Sequence, residues 1–175
     1  TLDSDTQLPP GRLRALVGVA EHPDNRPQLD ATRRHVVQGY GILQPRVVPP
    51  LPETSTTSLW QWITAGQRGL DPYSAMSSDV YQDVFGEGSF TGKGLLHVAT
   101  MHAVLGHRLP EDRVLSHDLL EGAIARCAVV TDITLIEADP EHADVAASRL
   151  HRWTRGDWQL LPFLLRPRRW QLSPI

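Results

Sequence analysis

Helical and extended segments alternate along this sequence, which predicts an α/β fold, a mixed sheet flanked by helices. Three observations carry the prediction. Apolar residues at Leu13, Leu16, Val17 and Ala20 repeat at helical spacing. The runs RHVVQGYGILQPRVV and TDITLIEA are rich in β-branched residues and of strand length. Around them lie stretches of helical length: LLHVATMHAVLGH, DLLEGAIARCA, and a last segment from about Asp144 through RLHRWTRGDWQLL.

The elements follow in order. TLDSDT reads as the end of a strand, Pro9 and Pro10 as a turn, and GRLRALVGVAEH as an amphipathic helix. HPDNRPQLDA is a loop by its Pro, Asn and Asp content, and the buried strand after it carries Gly39 and Gly41, which allow a turn or bulge. VPPLPETSTTS is a connector whose hydroxyls can cap the helix SLWQWITAGQRG, which stops at Gly69. DPYSAMSSDVYQDVF is partly helical and runs into GEGSFTGKG, whose glycines demand a shaped loop. On the final helix Leu150, Trp158 and Leu161 are expected to face the core. LPFLLRPRRWQL then mixes apolar residues with arginines and a tryptophan, which suits either a helix docked on the core or a segment at a membrane interface.

The chain has 175 residues, 41% of them hydrophobic, enough for one compact unit with its own core. Seventeen Lys and Arg against 20 Asp and Glu give a net charge of -3, so no overall basic field exists to hold nucleic acid. The single cysteine, Cys127, sits in the apolar run AIARCAVV and is read as buried core. No apolar run is long enough for a membrane span. The chain opens without Met, and a fragment of a larger protein is expected.

Four stretches carry candidate chemistry. Asp3 and Asp5, two apart near a strand end, can converge their carboxylates on one hard cation, Mg²⁺ or Mn²⁺, which also takes oxygens from a diphosphate. GEGSFTGKG is not a P-loop, because three residues rather than four separate Gly88 from Gly92-Lys93 and no Ser or Thr follows the lysine. Its backbone can still approach a ligand, with Glu87, Gly88 and Lys93 as the contacts. In LSHDLLEG, Ser116 can cap a helix whose first turn holds Asp118, and an ionised carboxylate there can serve as a general base flanked by His117 and Glu121. Arg149, Arg152 and Trp153 share one helical face, where guanidinium forks match phosphate oxygens and an indole suits a sugar ring. The histidines at 97, 102 and 107 are spaced by five, which turns them away from one face, so zinc is not expected.

In this order DSD, the glycine-rich loop, HD and RLHRW resemble the family-2-like processive glycosyltransferases, with their DxD, acidic base and (Q/R)xxRW motifs. GYGILQPRV, DVYQDVFGEGSFTGKG, LSHDLLEG and RLHRWTRGDWQLLP more closely resemble the glycosyltransferase region of cyclic β-1,2-glucan synthases, over nearly the whole chain. His117 stands where the broad family usually has Glu or Asp before the base. The resemblance implies a GT-A-type fold, of which residues 1–165 would be the acceptor and catalytic half and residues 166–175 a membrane-proximal segment. It implies UDP-glucose as donor, a β-glucan acceptor, and inversion at the anomeric carbon. Asp118 would be the base, Asp3 and Asp5 the metal ligands, and Arg149, Arg152 and Trp153 would lie beside the diphosphate and the acceptor. The implied setting is the cytoplasmic face of a bacterial inner membrane, within a larger synthase. A fragment starting at the DxD strand would lack the strands that hold uridine, would be inactive alone, and would expose a sheet edge at Thr1 to Thr6 through which two copies could pair. The alternatives are a non-catalytic glycosyltransferase-like module that binds glucan or a partner helix through its Trp/Arg face, and a metal-dependent phosphohydrolase using Asp3, Asp5 and Asp118.

Overall fold

In the computed structural model the described residues are 1–32, 34–50, 57–64, 79–106, 108, 114–138 and 140–165. Gly69, His107 and the segment 166–175, about which the sequence makes predictions, lie outside them. A four-stranded mixed sheet forms the middle of the molecule, in the order β1 (Thr6–Gln7), β6 (Cys127–Glu137), β4 (Ile42–Val48), β5 (Leu95–Leu96). β6 runs parallel to β4, while β1 and β5 pair antiparallel at the two edges. A separate ribbon joins β2 (Gln28–Leu29) to β3 (Val36–Gln38).

Strand alternation sends successive residues of the central pair to opposite faces. Ile42 and Cys127, opposite each other, enter a core with Phe90, Val104, Ile124 and Ala125. That core is roofed by α4 (Val98–Leu105) and α5 (Asp118–Ala125). Their neighbours Leu43 and Ala128 turn the other way and pack with Val130, Ile133 and Leu16 of α1 (Arg12–Glu21). Helices therefore flank both faces, as the sequence predicts. On α1 the buried phase is Leu16 with Val19 and Ala20 packed beside it, whereas Leu13 and Val17 are exposed.

The ladder between β4 and β6 breaks after Pro45, and Thr131, Asp132 and Ile133 intervene before pairing resumes at Arg46 and Thr134. Proline has no N–H to give the ladder, so an irregularity at this position is its natural consequence. Where β4 begins, Gly41 brings its backbone against the end of α5, and its N–H donates to the Ala125 carbonyl at 2.7 Å. A Cβ on Gly41 would stand 2.7 Å from that same oxygen.

The shorter helices follow their caps. Ser58 starts α2 (Leu59–Ile63) with a reciprocal capping box to Gln61. Asp79 caps α3 (Val80–Phe85), which ends on left-handed Gly86. His97 accepts from the Thr100 N–H and so begins α4 two residues after β5, where the sequence reading ran one helix through Leu95. α5 likewise stops at Ala125, and Cys127 belongs to β6 rather than to the helix. Burial pushes the Cys127 thiol up to about 12. Labelling of Cys127 by a disulfide reagent at neutral pH is expected to be about a hundredfold slower in native protein than in urea. Equal rates in the two states would contradict its burial.

Among the described residues α6 (Ala143–Leu165) is the longest helix, and Leu160 and Phe163 dock it against Leu120 of α5. Through Leu165, the C-terminal stretch is thus a helix packed on the core. Among the described residues no helix is long and apolar enough to cross a membrane.

Candidate active site

Residues from four separate stretches meet at the end of β6. Along its second half the buried phase is Ile133, Leu135 and Glu137, at 2%, 0% and 7% exposure. A carboxylate in that position needs partners, and Glu137 has three. Lys93 forms an ion pair with its Oε2, Arg149 donates to its Oε1 at 2.8 Å, and the Thr6 hydroxyl, opposite it on β1, donates to Oε2 at 3.3 Å. Burial alone would raise the Glu137 carboxyl. The hydrogen bonds and charges of Lys93 and Arg149 outweigh it and hold Glu137 below the usual glutamate range. A depressed carboxyl stabilises the fold above its unfolded value and loses that contribution as pH falls through the folded one. Urea titrations from about pH 5 downward should therefore show a shallower acid loss in Glu137→Gln than in wild type. Parallel curves would show that this carboxylate does not drive acid unfolding.

Lys93 also reaches Asp3, with 3.1 Å between Nζ and Oδ2. The Asp3–Asp5 stretch is a turn, closed by the Thr6 N–H donating to the Asp3 carbonyl at 3.1 Å, and β1 starts only at Thr6. The expectation that these aspartates end a strand is thus corrected: strand pairing with β6 follows them. The turn still serves convergence, because carboxylate oxygens of Asp3, Asp5 and Glu137 all lie within 4.8 Å of one another. The same stretch is tied to the glycine loop, since the Thr1 hydroxyl donates to the Gly92 carbonyl at 3.0 Å and the Gly94 N–H donates to the Thr1 carbonyl at 3.1 Å.

Gly92 links the loop to the third motif. Its φ of 98° is left-handed, and a Cβ there would lie 3.0 Å from Asp118 Oδ2. Asp118 is the first residue of α5, where the helix dipole favours its charge. Ser116 does not cap the backbone as the sequence suggests. Its hydroxyl instead donates to Asp118 Oδ2 at 3.1 Å, and the cap position falls to His117. His117 Nδ1 stands 3.9 Å from Glu121. Burial, then the neighbouring Asp118 charge, push the Glu121 carboxyl up, against the opposing effect of His117.

α6 brings the last motif. Gly156 lets the helix approach the Ser116 loop, where a Cβ would come within 3.3 Å of the Ser116 Cβ, and Gln159 accepts from the Leu115 N–H at 2.8 Å. This rotation turns Arg149 and Trp153 toward the sheet, with the guanidinium 4.5 Å from the indole centroid. Arg152 is exposed. Leu150, Trp158 and Leu161 are also exposed, at 56%, 69% and 39%, contrary to expectation. The buried phase of α6 runs instead through Gly156, Leu160 and Phe163, because Leu160 and Phe163 meet α5 and Gly156 meets the Ser116 loop while Arg149 meets Glu137.

Asp3, Asp5, Lys93, Asp118, Arg149 and Trp153 are thus drawn toward one region, with His117 at the start of α5. Glu87 and Gly88 are placed at the other end of β6. Glu87 lies 3.4 Å from Arg126, and Gly88 bridges to Cys127, the first residue of that strand. Sequence reasoning missed Glu137, Thr6 and the contact of Gly92 with Asp118. The available signal for Glu137 was its place on the apolar phase of TDITLIEA.

Fold and cluster define an α/β protein whose carboxylates, ammonium and guanidinium converge at the end of one sheet strand. No protein-family model matches the chain. The chain is 55% identical over 168 residues, 96% of its length, to a region of "Cyclic beta-(1,2)-glucan synthase NdvB" of Rhizobium meliloti (strain 1021). It spans 6% of the length of that curated relative. The likeness carried by the four sequence stretches is therefore a likeness to a region of that synthase along almost the entire chain.

Proposed function

We propose that this chain contributes the acceptor and catalytic half of an inverting, GT-A-type glucosyltransferase that extends a β-1,2-glucan from UDP-glucose, within a larger membrane-associated synthase. One observation supports the reading: a carboxylate pair and two phosphate-matching cations lie together, and the loop that bears Lys93 packs its Gly92 against Asp118, in a chain 55% identical to a region of a β-glucan synthase.

In this mechanism Asp118 accepts the proton of the acceptor hydroxyl as its oxygen attacks the anomeric carbon. The bond from that carbon to the diphosphate oxygen breaks on the opposite side, and one displacement inverts the configuration. UDP leaves with the bonding pair, and its added charge is met by Arg149, with the Lys93 ammonium buried behind it. Arg152, exposed on the same helix, is available to a phosphate or to the acceptor, and the Trp153 face suits a sugar ring. Asp3 and Asp5 offer the hard oxygen donors that Mg²⁺ or Mn²⁺ prefers, and such an ion would supply further charge neutralisation to the diphosphate.

Lys93 and Arg149 already offset most of the charge of the three carboxylates, so a cation alone gains little there. Mn²⁺ titration of the full-length protein is expected to show binding strengthened at least tenfold by UDP. Tight Mn²⁺ binding without nucleotide, unchanged in Asp5→Ala, would contradict these metal ligands. The function itself is tested by supplying radiolabelled UDP-glucose to full-length protein in membranes and digesting the product with a β-1,2-specific glucanase. Label that enters no glucan, or a glucan of another linkage, would overturn the reading.

A further inference from the structure

Glu137 touches both cations of the proposed site but has almost no surface of its own. At 7% exposure it is out of reach of a sugar or diphosphate arriving from solvent, and so is Lys93 at 8%, so whatever Glu137 does for transfer it does through the more open Arg149. Its two oxygens are divided between them, Oε1 taking the Arg149 guanidinium and Oε2 the Lys93 ammonium together with the Thr6 hydroxyl. Arg149 is held from another side by the Trp153 ring, and Lys93 by Asp3. Long cationic side chains lose much rotamer freedom when fixed. A single buried carboxylate that fixes both in advance removes that cost from ligand binding.

We propose that Glu137 is a positioning residue for glucosyl transfer, which, itself held by buried Lys93, aims Arg149 at the donor diphosphate beside Asp3. The proposal rests on the reading that Arg149 receives that diphosphate. Arg149 meets the phosphates before and during transfer, so lost alignment weakens donor binding first. A residue that only supported the fold would lower the active fraction, and hence kcat, with KM unmoved.

Full-length protein in membranes carrying Glu137→Gln, Arg149→Ala, or both is assayed at saturating Mn²⁺ for kcat and KM toward UDP-glucose. Glu137→Gln is expected to raise KM about tenfold with kcat within about threefold, and to add little once Arg149→Ala is present, since the two act as one unit. Glu137→Asp keeps the charge but draws it back by one methylene, and an intermediate KM is expected. That variant supplies the same test if Glu137→Gln fails to fold. Arg149→Ala with a raised KM beside Glu137→Gln and Glu137→Asp with normal KM would overturn the positioning role while leaving the functional reading intact. Arg149→Ala without effect would remove the functional reading and the positioning role with it. A normal donor KM accompanied by a higher Mn²⁺ requirement in Glu137→Gln would overturn positioning in favour of direct metal ligation.

Discussion

Asp118→Asn in the full-length protein is expected to bind UDP-glucose normally and to lose transfer by roughly 10²-fold or more, the usual worth of a general base. The substitution preserves shape. Asparagine at the first position of α5 can still accept from the Ser116 hydroxyl, which donates to Asp118 Oδ2 in the native site. It leaves the cations at Glu137 untouched, because Asp118 belongs to neither ion pair. What it removes is the capacity to take a proton. Calorimetry with UDP should therefore match wild type while radiolabelled glucan formation falls. Transfer within a few-fold of wild type would end the assignment of Asp118 as base and turn attention to Glu121, whose raised carboxyl lies one helical turn away.

The second large effect is expected at Gly92, which no chemical argument singles out. Alanine there meets two obstacles: a φ of 98° that L side chains rarely adopt, and a methyl 3.0 Å from Asp118 Oδ2. Either the loop shifts and carries Lys93 with it, or the carboxylate moves. Misplacement on the scale of 1 Å can cost about 10²-fold in rate, so Gly92→Ala is expected to lower kcat by one to two orders of magnitude (roughly 10- to 100-fold). Gly18→Ala is the matched comparison. Gly18 lies within α1 with nothing within 4 Å of the added carbon, so alanine there should leave transfer unchanged and stabilise by about 0.5–1 kcal/mol. Kinetics and thermal melts on both variants read the difference. A Gly92→Ala protein with normal kcat would mean that the loop yields without disturbing Asp118.

Much of this is legible in the sequence. Alternation of helical and extended periods gave the flanked sheet, and short motifs pointed to Asp3, Asp5, Lys93, Asp118 and Arg149, which the fold brings toward one region. Boundaries were less legible where tertiary contacts decide them. β1 begins after Asp5 because Thr6 pairs with Glu137, a partner more than a hundred positions away that no local window contains. The rotation of α6 was misjudged for a related reason. Trp158 and Leu161 look like core by type, yet the helix is turned by Gly156 against Ser116 and by Arg149 against Glu137, contacts that composition does not reveal. Glu137 itself hid inside an ordinary strand, where one charged residue on an apolar phase reads as noise until its partners are known.

The parallel pairing of β4 with β6 also governs how the molecule comes into being. Ile42 and Cys127 stand in register across a span of chain that includes α2, α3, α4 and α5. Closing so long a loop costs entropy before any pairing repays it, and parallel strands with distant partners fold slowly for that reason. Glu137 and α6 come later still in the chain, so during synthesis the ribosome must release β6 and the first turns of α6 before Lys93 and Arg149 meet their common counter-ion, Glu137. Until then, the edge of β4 and the apolar faces of α1 and α5 remain uncovered, and a nascent chain paused in that interval is the one that holdase chaperones would capture.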